Sequence, residues 1–155
     1  MGFIANFSPM NYLLLHPRNL IGLLLLGFLF LFTACGPSPR AETRILVFTK
    51  TEGFRHASIK EGIARLQQIG KEKGWVVDTT EDARNFNEAN LQRYAAVVFL
   101  STTGDVLDIY QQADFERYIQ GGGGYVGIHA ASGTEFDWPW YGRLVGAYFK
   151  DHPSS

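Results

Sequence analysis

Arg44-Ile45-Leu46-Val47-Phe48-Thr49 is a short, almost continuous apolar run, and Ala95-Ala96-Val97-Val98-Phe99-Leu100 repeats its texture. Runs this short, with no polar residue on either face, suit strands covered on both sides, as in a parallel sheet. Outward from the first run, Ile59, Ile63, Leu66 and Ile69 recur at helical spacing, which predicts a helix from Ile59 to about Lys73, with Ser58 placed to cap it and Gly74 to end it. Trp75 to Thr79 predicts a second strand and Ala89 to Tyr94 a short helix. Past Leu100, a helix from about Leu107 to Gln120 offers Ile109, Phe115 and Ile119 for packing, and Gly121 to Gly124 breaks it. Tyr125 to His129 is the fourth strand, and Pro139 to Val145 starts another helix. Strands alternating with helices imply right-handed crossovers, hence an α/β fold with a doubly wound parallel sheet. Ligands of such sheets bind beyond the carboxyl ends of the strands, at the loops after Thr49, Leu100 and His129.

The chain has 155 residues, of which 46% are hydrophobic and 19% charged, which fits one globular domain behind a targeting segment. A formal net charge of -1 supplies none of the positive field that a phosphate backbone requires, so nucleic acid is not an expected partner. The single cysteine, Cys35, has no partner for a disulfide or a thiolate metal site.

Leu20 to Ala34 reads LIGLLLLGFLFLFTA, uncharged, preceded by Arg18 and closed by small residues. That layout is a signal peptide's, and the run is shorter than the roughly 20 apolar residues of a membrane-spanning helix. Phe32-Thr33-Ala34-Cys35-Gly36 resembles the bacterial lipobox, in which the cysteine is acylated and becomes the mature amino terminus, although Phe32 stands where Leu is usual. Gly36 to Thr43 contains two prolines and no apolar periodicity, as a tether would. The expected organisation is a signal peptide over 1–34, a lipidated tether over 35–43 and a domain over 44–155. The expected location is the bacterial cell envelope, lipid-anchored on the periplasmic side or at the outer membrane.

Four stretches then point to a family. They are Thr49 to His56 (TKTEGFRH), Thr102 to Leu107 (TTGDVL), Gly121 to Ala131 (GGGGYVGIHAA) and Glu135 to Tyr141 (EFDWPWY), with Leu144 to Phe149 following. In this order they resemble the ThuA-like (trehalose utilisation) proteins. The resemblance implies a flavodoxin-like sheet of the class I glutamine amidotransferase type and a role with trehalose, a related disaccharide or an oxidised sugar. It also implies a domain that continues past Ser155, so that the chain is expected to be incomplete at its carboxyl end. Amidotransferases hold a nucleophilic cysteine in a G-x-C-x-G elbow. Here Gly127-Ile128-His129-Ala130-Ala131 has His129 at that position, so glutamine hydrolysis through a thioester is excluded.

His129, Glu135 and Asp137 are the catalytic candidates, as groups for proton transfer near the expected ligand edge. Arg55, His56, Thr103 and Asp105 are substrate-binding candidates in the same loops, with His152 close behind in sequence. Trp138, Trp140 and Tyr141 are candidates for stacking on sugar C–H faces. No H-x-x-x-H or E-x-x-H pair occurs, so no spacing supports a metal, and a divalent ion would have to be gathered from separate loops. Glu135 and Asp137 have a second reading, as carboxylates that only satisfy backbone donors. Three functions stay open: an enzyme acting on a carbohydrate, a non-catalytic sugar-binding module, and a fragment without activity of its own.

Overall fold

The structure is a computed structural model and describes residues 42–151; the apolar run, Cys35 and His152 lie outside them. β1 (Arg44–Phe48), β2 (Val76–Thr80), β3 (Ala96–Leu100) and β4 (Gly124–Ile128) form one sheet in the order β2-β1-β3-β4, every pair parallel. α1 (Ile59–Lys73), α2 (Glu88–Leu91), α3 (Ile109–Gln120) and α4 (Pro139–Val145) flank it, with 3-10 turns at Ala83–Asn85 and His129–Gly133. This is the doubly wound α/β sheet expected from the sequence, and its order reverses between β1 and β3.

Successive strand residues face opposite sides. Leu46, Phe48, Val97 and Phe99 pack on one face with Phe86, Leu91, Phe115 and Tyr141. Val47, Val98 and Leu100 pack on the other with Ile63 and Leu66 of α1. Burial on both faces is why β1 and β3 show no polar alternation. Phe115 anchors the first face, with its ring centroid 5.4 Å from Phe99, 5.5 Å from Phe86 and 6.1 Å from both Tyr125 and Trp140.

Two expectations need correction, and two features had not been read from the sequence. α3 begins at Ile109 because Asp108 and Gln111 form a reciprocal capping box, which leaves Val106 and Leu107 buried in the preceding loop and turns Ile109, 71% exposed, to solvent. Ser58 precedes α1 without a side-chain cap, and the Ile59 N–H reaches the His56 carbonyl instead. β4 lies at the edge of the sheet among the described residues, so His129 follows an edge strand and not a central one. The 3-10 turn at Ala83–Asn85, opened by Asp82, had no periodic signal. The glycine run does end α3, and it is also a packing requirement: a Cβ on Gly123 would stand 2.2 Å from the Tyr118 ring.

Phe115→Ala is expected to cost about 3–5 kcal/mol of stability through the cavity it leaves, while Ile109→Ala stays within about 0.5 kcal/mol. Urea unfolding followed by circular dichroism separates the two, and equal effects would contradict this core.

Candidate functional site

The loops after β1, β3 and β4 meet beyond the carboxyl ends of the strands, and the backbone stitches them together. Thr51 bridges Thr103 and Gly104 bridges Thr134, extending the parallel pairing past the strands. The Glu52 N–H donates to the Thr103 carbonyl at 2.8 Å and the Gly104 N–H to the Gly133 carbonyl at 2.9 Å. Below them the buried Thr102 and Thr134 hydroxyls share a 2.8 Å hydrogen bond.

Among the described residues, the non-glycine residues with positive φ are Ser101 (52°), His129 (58°) and Glu135 (55°), and all belong to these loops. Left-handed backbone at residues with a Cβ is uncommon and persists only where surrounding contacts enforce it, which is a recurrent property of functional sites. His129 thus leaves β4 in a sharp strand-to-turn elbow, with an imidazole where an amidotransferase has its thiol. Its side chain is exposed, and its ring lies edge-on to His56 with centroids 4.4 Å apart. Phe54 lies edge-on to His56 in turn, at 4.8 Å.

Glu135 is the buried hub of the site. It is 1% exposed; Oε1 accepts the Val106 and Leu107 N–H groups, each at 2.8 Å, and Oε2 accepts Gln112 Nε2 at 2.6 Å. Burial pushes its carboxyl up, helped by repulsion from Asp105, against the lowering effect of the three donors. With both oxygens taken and no face to solvent, Glu135 ties the β4 loop to the approach of α3, and the expected role of base in contact with a substrate is corrected. Asp137 and Asp105 are exposed. Burial, with the negative field of Glu135, Asp105 and Asp137 adding to it, raises the pKa of Tyr148. The Tyr148 hydroxyl donates toward the Glu135 and Trp138 carbonyls.

Other expected contacts have partners within the protein. Arg55 donates to the Thr49 carbonyl at 3.2 Å and pairs with Glu81 at 2.6 Å, and Thr103 Oγ1 donates to the Phe54 carbonyl at 3.0 Å. Both residues order the β1 loop. Tyr141 is 0% exposed, with its hydroxyl shared between Tyr125 and the Ala131 carbonyl, so it belongs to the core and offers no surface to a ligand. Burial raises its pKa and pushes Tyr125 up to about 12, which removes both from proton transfer near neutrality. Trp138 and Trp140 stack on each other at 4.9 Å and pack half-buried against the same core. The aromatic surface at this edge comes instead from Phe54 and Phe136, exposed residues that the sequence reading passed over. Their signal was an apolar ring set among polar neighbours in a loop.

A cavity of about 380 Å³ opens at the opposite end of the sheet, lined by Glu88, Gln92, Asp114, Tyr118 and Gly121 to Gly123. The N–H groups of Gly121, Gly122, Gly123 and Gly124 all donate to main-chain carbonyls, so the glycine turn is no phosphate cradle. Among the described residues no cluster of three or more His, Cys, Asp or Glu side chains is arranged to hold a metal ion.

The family model described as ThuA, trehalose utilisation, matches residues 44–155. The chain belongs to the ThuA family. A ThuA-like protein from Bacteroides uniformis, known as a crystal structure, is similar with a TM-score of 0.58 and 23% identity, over 72% of this chain and 47% of that one. This chain therefore spans about half the length of that relative, and the likeness carries the fold alone. No curated protein matches. The family places this chain in relation to trehalose utilisation at the family level.

Glu135→Ala is expected to cost about 2–5 kcal/mol by stranding buried donors, whereas Glu135→Gln, which keeps one acceptor for the two N–H groups, costs less. Because the folded carboxyl titrates above its unfolded value, near 4.3, the native chain holds a proton that the unfolded chain releases. The wild type should therefore lose stability relative to Glu135→Gln as pH rises through that window. Urea midpoints across pH 4 to 8 that move the other way would overturn this assignment.

Proposed function

We propose that this ThuA family chain is a lipid-anchored envelope protein that acts on a disaccharide or an oxidised sugar, with His129 as the proton-transfer group. The carrying observation is the exposed His129 imidazole, held at φ 58° by the elbow and set edge-on to His56 at 4.4 Å. Two adjacent imidazoles beyond the carboxyl ends of the strands are groups of the kind that take and return a proton at a hydroxyl or an anomeric oxygen. Asp137 and Asp105 are exposed carboxylates in the same group of loops, suited to accept hydrogen bonds from sugar hydroxyls. The family's association with trehalose supports the substrate class.

A non-catalytic sugar-binding module is the second reading, favoured by one observation: the carboxylate expected to serve as base, Glu135, is enclosed in structural hydrogen bonds. His129→Gln keeps size and a hydrogen-bonding edge while removing the titratable proton. For an enzyme, that variant should bind disaccharide nearly normally and turn over about a hundredfold more slowly. Loss of affinity in step with any activity, and no turnover in the wild type, would favour the module.

The envelope anchor is supported by Thr33-Ala34-Cys35-Gly36 after the apolar run. Among the described residues no helix is long and apolar enough to cross a membrane. Full-length chain expressed in bacteria with labelled fatty acid should carry the label, and Cys35→Ser should not. Equal labelling of both would remove the lipid from this reading.

A further inference from the structure

Phe54 is 72% exposed, yet the loop that bears it is tied down on every side. Thr103 Oγ1 donates to the Phe54 carbonyl, the Glu52 N–H beside it donates to Thr103, and Arg55 is fixed by Thr49 and Glu81. Gly53 lies so close to Thr103 that a Cβ there would stand 3.3 Å from the Thr103 hydroxyl. A single exposed apolar side chain on a loose loop would mean little. Here the ring is presented by an ordered loop, and it continues a row of edge-on contacts, from Phe54 to His56 at 4.8 Å and from His56 to His129 at 4.4 Å.

We infer that Phe54 is the apolar platform of the ligand site, against which the C–H face of a pyranose ring lies while its hydroxyls face the imidazoles and the Asp105 carboxylate. This rests on the carbohydrate reading above and names the contact that reading lacks. Trp138 and Trp140 cannot take the part, because their rings are stacked on each other and packed on the core. A phenyl ring has no polar group to satisfy, so it suits the apolar C–H face of a sugar, and its electron-rich face disfavours an anion. Its pre-ordered loop also spares the ligand the entropy of fixing it.

The test is titration of the full-length chain with trehalose, read by calorimetry and by saturation-transfer NMR with irradiation of the aromatic resonances. Phe54→Ala should weaken trehalose binding about tenfold, and Phe54→Trp, with a larger face, should restore or improve it. Because Phe54 is exposed, both variants should keep the wild-type thermal midpoint, so a lost affinity is a lost contact and not a lost fold. Unchanged affinity in Phe54→Ala, with binding lost in His129→Ala, would overturn the platform and leave the carbohydrate reading standing. Wild-type chain that binds none of trehalose, maltose and sucrose would overturn both.

Discussion

A parallel strand packed on both faces has no side on which to keep a polar group, so its polar residues collect where the strand ends. β1 and β3, paired at the centre of the sheet, carry that constraint through the molecule. Phe48 and Leu100 are the last buried apolar residues of their strands. Thr49, Ser101 and Thr102 follow at once, still buried but polar. The chain must turn there, and because its order reverses between these two strands, the loops that follow them gather at the end of the sheet where ligands of such folds bind. The side chains proposed to meet a ligand lie in the loops after β1, β3 and β4 at that end.

Those loops are not slack connections. Main-chain hydrogen bonds carry the pairing beyond the strands, and the buried Glu135 carboxylate joins the β4 loop to the segment entering α3. A buried carboxyl without partners would be costly; with three donors it becomes a rigid joint whose strength varies with pH. Ser101, His129 and Glu135, all in left-handed backbone, lie in these tied loops. The strain is sustained by the ties around it, and its effect is to point an imidazole out of the fold beside a second one.

The division of labour among the aromatic residues follows from the same packing. Phe99 and Phe115 organise one face of the sheet, and α4 closes over them with Tyr141. That closure draws Trp138 and Trp140 inward, since residues around the start of a short helix resting on a core must fill its margin. Phe54, in the loop after β1 and outside any helix, is left to face solvent.

The fold was legible in the chain itself. Apolar runs with no alternation, helical spacing at Ile59, Ile63, Leu66 and Ile69, and glycines at Gly74 and Gly121 to Gly124 place the strands and helices to within about three residues, because each depends on neighbours in sequence. The loops that bear the site could be named on the same grounds, as could His129 and His56 within them. Which side chains remain available there could not, because a carboxylate, a guanidinium or an indole looks the same in sequence whether it faces a ligand or a distant backbone donor. Glu135 is separated from Val106 by 29 positions and Arg55 from Glu81 by 26. Only the convergence of separate crossovers brings such partners together, and it is that convergence which enclosed Glu135 and Tyr141, engaged Arg55 and Thr103 in ties within the loops, and left Phe54 and His129 exposed.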